Sequence, residues 1–298
     1  MLNFVTAREL FLTFRRSVKY MASPCRDYRM KKNISIGDAR KAKESFGNRL
    51  KFAHFPFLRE TISREGRTGS TCLRVLDVGC GPGTLAFFCG GQGGCRLFGI
   101  DLWPNQLMQA AEKHSYEALF QVNIVNGLPF SSGSFDIVVC NEVLMYLPNA
   151  DEALKEFNRV LSRDGKLFVY NPINRLPKLC SIAKRFTRRI YQEQKSIALD
   201  VQSNWKQAER ACRITYYSFQ SLIEQIRSAS FHISETTGFR LFRNRIRLMK
   251  VLEDYIWYRR LVLAVAARYP RLASDILVVG HKNTGAGAQP ISLDKAAA

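Results

Sequence analysis

The chain has 298 residues, 46% apolar and 23% charged, the balance of a globular protein rather than a disordered or fibrous one. At ~100–200 residues per domain, that length makes one large domain or two small ones. The net charge of +20 is unevenly spread: residues 1–70 hold 16 basic and 6 acidic side chains, residues 71–171 hold 7 and 10, and residues 172–298 hold 22 and 9.

A nearly neutral block thus sits between two basic flanks, which suit anionic lipid, nucleic acid or an anionic substrate. The longest strongly apolar run, Leu261 to Ala267, is far below the ~18 residues of a bilayer span. The eight cysteines form no C-x-x-C pair. They read as reduced thiols, as expected of a cytoplasmic protein, and no structural zinc or other metal set is expected.

Residues 1–37 form a basic N-terminal extension in which Arg8, Arg15, Arg16 and Lys19 alternate with Leu2, Phe4, Leu10, Phe11 and Phe14. It reads as a surface extension, with an organelle-targeting segment as the alternative. Residues 38–70 form a helical cover. Phe46, Leu50, Ala53 and Phe57 share one helix face, Pro56 is expected to break or kink that helix, and a loop is expected from Gly66.

From residue 71 to 282 short apolar strands alternate with helices. Strands are expected at Leu73–Val78, Leu97–Ile100, Phe120–Val125, Phe135–Cys140 and Lys166–Tyr170, and helices at Asn105–His114 and Asp151–Leu161, with Asp164-Gly165 as a turn. This alternation predicts an α/β fold, with right-handed crossovers and a doubly wound, mostly parallel sheet covered on both faces. Helical insertions are expected at about 174–215, including a basic helix Leu176–Tyr191, and at about 240–273. A helix at Phe219–Ala229 and strands at His232–Glu235 and Asp275–His281 complete the pattern, and the tail 283–298 reads as disordered.

The strongest local signal is Asp77-Val78-Gly79-Cys80-Gly81-Pro82-Gly83-Thr84 after the first strand. Its glycines permit positive φ and a close approach of backbone to ligand. A dinucleotide site wants G-x-G-x-x-G, and Thr84 stands where the third glycine is required. Asp77 also opposes a phosphate and suits a ligand that presents an ammonium group. Asp101, 24 residues on at the end of the second strand, is placed to accept hydrogen bonds from ribose hydroxyls. S-adenosylmethionine (SAM) combines these features: an amino acid, a sulfonium and an adenosine.

The stretch from Leu73 to about Ile173 resembles the class I SAM-dependent methyltransferases that act on small molecules and lipids. The resemblance implies a Rossmann-like, seven-stranded sheet with SAM as cofactor. It also implies roles for particular residues. Asp77, Gly79, Cys80, Gly81 and Gly83 would wrap the methionine part, and Asp101 would hold the ribose. Leu102 and Trp103 would flank adenine, where similar sequences often have a small polar residue in place of Trp103. Asn123 would accept from the adenine amino group, a position held by Asp in similar sequences, with Ile124 adding backbone contact. Cys140-Asn141-Glu142 would meet the amino-acid end.

Where some quinone-pathway relatives carry Glu-His, this chain has Met145-Tyr146, so their acid arrangement is not expected here. Tyr146, His54 and His232 are the candidates for an acceptor-side hydrogen bonder or base. The expected activity is methyl transfer to a small hydrophobic or amphipathic acceptor, with O-methylation favoured. The aromatic and arginine-rich run Tyr255–Arg260 beside Leu261–Ala267 suggests peripheral contact with an anionic membrane. The alternatives are an RNA methyltransferase that uses the basic flanks and a SAM-binding regulator or partner subunit.

Overall fold

The structure is a computed structural model. It describes residues 53–68, 72–89, 95–112, 115–173, 215, 217–241, 252 and 255–283. The expected extension 1–37, the insertion at about 174–215 apart from residue 215, the helix Leu176–Tyr191 and the tail beyond 283 lie outside these residues.

A seven-stranded sheet forms the frame: β1 (Leu73–Val78), β2 (Cys95–Asp101), β3 (Ala118–Gln121), β4 (Phe135–Asn141), β5 (Leu161–Pro172), β6 (Phe231–Arg240) and β7 (Asp275–Lys282). Their order across the sheet is β3-β2-β1-β4-β5-β7-β6. Neighbours from β3 to β5 run parallel, and β7 runs antiparallel to both β5 and β6. This is the expected doubly wound, mostly parallel architecture. The strand order reverses between β1 and β4, so a crevice opens outside the carboxyl ends of the strands at this switch point, where such folds bind ligands.

Helices α1 (His54–Thr68), α2 (Thr84–Cys89), α3 (Pro104–Ala111), α4 (Ala150–Val160), α5 (Phe219–Ser228) and α6 (Ile256–Arg268) flank the sheet. In α4, Ala150, Ala153, Leu154, Phe157 and Val160 are buried along one face, the spacing that lines a helix up against a sheet. Asn149 caps it by accepting the Asp151 N–H at 3.2 Å, and Asp151, Glu152 and Arg159 oppose the helix dipole at the two ends. The central strands bury both faces, so apolar packing divides into two layers. Leu76, Cys140, Val169 and Phe157 lie in one; Val75, Val139, Phe168 and Tyr170 lie with α1 and α6 in the other.

Several boundaries differ from expectation. Residues 38–52 of the expected helix lie outside the described residues, and within α1 Pro56 causes no interruption. It lies in the first turn of α1, where the backbone N–H it lacks would have no helical partner. The helix continues through Gly66 to Thr68 rather than yielding to a loop. Asp164-Gly165 is not a turn between elements but part of β5, where the pairing with β4 shifts register between Phe135 and Ile137. β3 ends at Gln121, and Ile124 falls in a 3-10 turn, Ile124–Asn126. β6 is ten residues long, well past Glu235, because pairing with β7 carries it on to Arg240.

At Gly238 of β6, α6 comes unusually near. A Cβ there would sit 2.3 Å from the Ala266 carbonyl oxygen and 2.5 Å from the Ala273 Cβ. Glycine is what lets the helix backbone rest on the strand.

Candidate functional site

The glycine turn leaves β1 with Gly79, Gly81 and Gly83 at φ +66°, +52° and +82°, values that side chains with a Cβ rarely adopt. The reasons for glycine differ. A Cβ on Gly79 would stand 2.3 Å from a Val143 methyl carbon, whereas at Gly81 it would meet only Gln106 Oε1, at 3.9 Å. Gly79 is therefore required by packing within the protein, and Gly81 leaves open space over the turn.

Asp101 ties this turn to the neighbouring strand. Its Oδ2 accepts the Gly81 N–H at 2.8 Å and its Oδ1 accepts the Trp103 N–H at 2.9 Å. Cys80 N–H donates to Ile100 O at 2.9 Å, and Val122 N–H donates to Asp101 O at 2.9 Å, so the ends of β1, β2 and β3 form one connected rim. Asp101 is buried. Burial raises its pKa, and the hydrogen bonds from Trp103 and Gly81 oppose that rise. A carboxylate has roughly four lone-pair positions; the backbone of Gly81, Trp103 and Leu102 engages part of them, and the remainder is what Asp101 can offer to a ribose.

Asp77 lies beneath the turn, also buried. Desolvation lifts its pKa to about 7; a hydrogen bond from Tyr116 pulls it down, and the charge of Asp101 pushes it up. The Tyr116 hydroxyl donates to Asp77 Oδ2 at 2.7 Å. Tyr116 precedes β3 and carried no signal in the sequence, because the partnership spans 39 residues. Open space over Gly81 and two buried carboxyls fit a cofactor with an ammonium group and a ribose. They do not fit a phosphate-bearing one, whose charge they would repel.

On the adenine side, Leu102, Trp103 and Ile124 are half-buried. Asn123 is exposed, and its Oδ1 accepts the Val125 N–H at 3.2 Å as the cap of the 3-10 turn. An open groove of 540 Å³ starts at Gln121, Val122 and Asn123 and runs past Gly127 to Glu156. Its floor, Gly127 to Pro129, is clamped from α4 together with the adjoining Phe130. Glu156 accepts the Leu128 N–H at 2.8 Å, while Arg159 donates to Leu128 O at 2.9 Å and Phe130 O at 2.7 Å. Arg159 also binds Glu156 at 2.7 Å, and that hydrogen bond holds the Glu156 carboxyl down at about 2. In the sequence these two are merely one turn of an exposed helix face.

Cys80 lies in the glycine turn and Cys140 near the end of β4. Both thiols are buried, Cys80 near Asp77 and Asp101, and burial pushes the Cys140 thiol up to about 12.

On the acceptor side the three candidates separate. His54, at the start of α1, is buried. It stacks on Tyr170 with ring centroids 3.6 Å apart, and its Nε2 lies 2.9 Å from Asn141 Oδ1. It therefore joins the carboxyl ends of β4 and β5. Tyr146 is half-buried in the 3-10 turn Leu144–Tyr146, just after β4. His232 is overturned as a site residue. It is exposed and pairs with His281, which pairs in turn with Lys166 near the start of β5. That is the amino edge of the sheet, opposite the glycine turn. Glu142, in the bend after β4, has φ +55°, and its N–H donates to Tyr170 O at 2.8 Å.

Residues 76–169 match the family model of a methyltransferase domain. The chain is 35% identical over 115 residues to a ubiquinone biosynthesis O-methyltransferase of Xanthomonas oryzae pv. oryzae, an alignment covering 37% of this chain and 47% of that protein. It is 33% identical over 106 residues to a sterol 4-C-methyltransferase of Caenorhabditis elegans, covering 34% and 31%. The chain thus spans about half or less of the length of these relatives. A solved structure from Galdieria sulphuraria, described as a sarcosine dimethylglycine methyltransferase, superposes with a TM-score of 0.52 at 11% identity, covering 82% of this chain and 88% of that one. With the strand order and the glycine turn, these findings show a chain with the fold of SAM-dependent methyltransferases, in which residues 76–169 are similar to a methyltransferase domain.

Proposed function

We propose that the protein transfers a methyl group from SAM to an oxygen of a small hydrophobic or amphipathic acceptor. The observation that carries the SAM half is the buried carboxylate of Asp101, held against the glycine turn through Gly81 N–H. The similarity to an O-methyltransferase supports oxygen as the receiving atom.

Bound SAM supplies a methyl group already activated on a sulfonium. The residues of this chain then bind, orient and exclude water, and alignment of that kind supplies ~7–11 kcal/mol toward a displacement. Asp101 fixes the ribose and Asp77 faces the ammonium end. His54, through Asn141, holds the end of β4, and Tyr146 is the hydrogen bonder offered to the acceptor.

Incubation of the protein with methyl-labelled SAM and a cell extract tests this reading. Label is expected in a solvent-extractable small molecule and is lost with Asp101→Ala. Label in RNA, or SAM binding with no transfer to any fraction, overturns it.

A pH dependence follows from Asp77. A carboxyl with its pKa near 7 is protonated below that pH, and a cationic ligand favours the ionised form, so SAM affinity rises as pH passes upward through about 7. The amino group of SAM, like other α-amino groups at about 7.7–8.0, limits affinity on the alkaline side. Tyr116→Phe removes the donor that stabilises the Asp77 carboxylate. It should move the acid limb to higher pH and leave the alkaline limb in place. Calorimetric titration with SAM across this range checks it, and coincident acid limbs in the two proteins would refute the Asp77 role.

A further inference from the structure

Helix α6 is apolar on two sides. Its inner face, with Val262, Leu263 and Ala266 buried, packs on β6. The outer face carries Trp257, Leu261, Ala264 and Arg268 at i, i+4, i+7 and i+11, with Arg260 beside them. Trp257 is 60% exposed and Leu261 53%. Tyr255 before the helix and Tyr269 after it are each 53% exposed and extend the patch at both ends. A surface helix normally turns polar residues outward, so large apolar side chains grouped on this face mark a contact surface.

The described part of this surface is basic. From Tyr255 to Leu272 the chain has four arginines, of which Arg259 is buried, and no acidic residue, and Glu253 and Asp254 precede this run in the sequence. Arg260 and Arg268 are exposed on the outer face, and the Arg268 guanidinium lies over the Tyr269 ring, 5.4 Å from its centroid. The geometry points to an anionic lipid bilayer as the occupant. Trp257, Leu261 and the two tyrosines enter the interfacial region, and Arg260 and Arg268 meet the headgroup charge. Amphipathic rings and arginine beside aliphatic groups are the composition of a membrane–water boundary. A nucleic acid would match the charge and the rings but would leave Leu261 and Ala264 without a role.

This surface lies outside the SAM site, and its test needs no methyl acceptor. Sedimentation of the full chain with vesicles is compared between pure phosphatidylcholine and an equal mixture of phosphatidylcholine and phosphatidylglycerol. Binding is expected only to the anionic vesicles. Arg260→Ala and Arg268→Ala should each weaken it about fivefold, and Trp257→Glu with Leu261→Glu should abolish it. All four side chains are exposed or on the outer face, so the urea midpoint should not move, and this is measured alongside. Equal binding to neutral vesicles, or binding unchanged in the variants, overturns the proposal. So does a pattern in which polyuridylate binds through these residues and vesicles do not. Loss of self-association in Trp257→Glu without any vesicle binding would assign the face to a second copy and overturn it as well.

Discussion

Asp101→Ala is expected to lower SAM affinity by roughly two to four orders of magnitude. The carboxylate offers charge-assisted hydrogen bonds to two ribose hydroxyls, each ~1.5–3 kcal/mol, and about 1.4 kcal/mol is one decade of affinity. The substitution also strips the acceptor from the buried N–H groups of Gly81 and Trp103, so the turn loses its tie to β2. Asp101→Asn separates the two effects. Its single carbonyl oxygen can keep one of the backbone donors, while its amide group cannot accept. A loss intermediate between wild type and Ala is therefore expected. Calorimetry with SAM, paired with thermal unfolding, reads both quantities. Wild-type affinity in the Ala variant would remove Asp101 from the site and with it the main support for SAM.

Asp275→Ala is expected to destabilise the fold by about 3–5 kcal/mol without a change in the urea m-value. Arg240 closes β6 and Asp275 opens β7 in direct register. Their side chains form an ion pair in which Arg240 is 7% exposed and Asp275 fully buried. Ser274 donates to the same carboxylate at 3.2 Å. Removing the aspartate leaves a buried guanidinium without its ion-pair partner, on which the charge of Glu142 acts less strongly, and that desolvated charge is the larger part of the cost. Replacing both partners, as in Arg240→Met with Asp275→Leu, should recover most of the loss, because an apolar pair of similar volume carries no uncompensated charge. Equal instability of the single and double variants would show that the packing of these strand ends, not the charge, dominates.

The cofactor half was legible because its determinants are local. β1 occupies the expected residues Leu73–Val78; its apolar run is bounded by glycines on one side and a loop on the other. The turn and Asp101 follow from residue type and spacing. The misreadings arise where tertiary pairing sets the local state. Asp164-Gly165 has turn chemistry, yet β5 absorbs it beside a register shift against β4. Phe120–Val125 has strand composition, yet the Asn123 cap converts its second half into a 3-10 turn. Pro56 breaks a helix only in its interior, and sequence alone did not fix where α1 begins. His232 was credible until β6 was placed, since only the sheet order tells which edge its first residues occupy. Tyr116 on Asp77 and the Glu156–Arg159 clamp were out of reach, being contacts between distant segments with no periodic signature.

The close seating of α6 at Gly238 has an evolutionary corollary. With the Ala266 carbonyl where a methyl group would otherwise project, the cylinder cannot roll or lift without a penalty, and its exterior is presented at a fixed angle. Residues 257, 260, 261 and 268 can then be exchanged one by one, retuning affinity for whatever lies outside without disturbing the chemistry further along the chain.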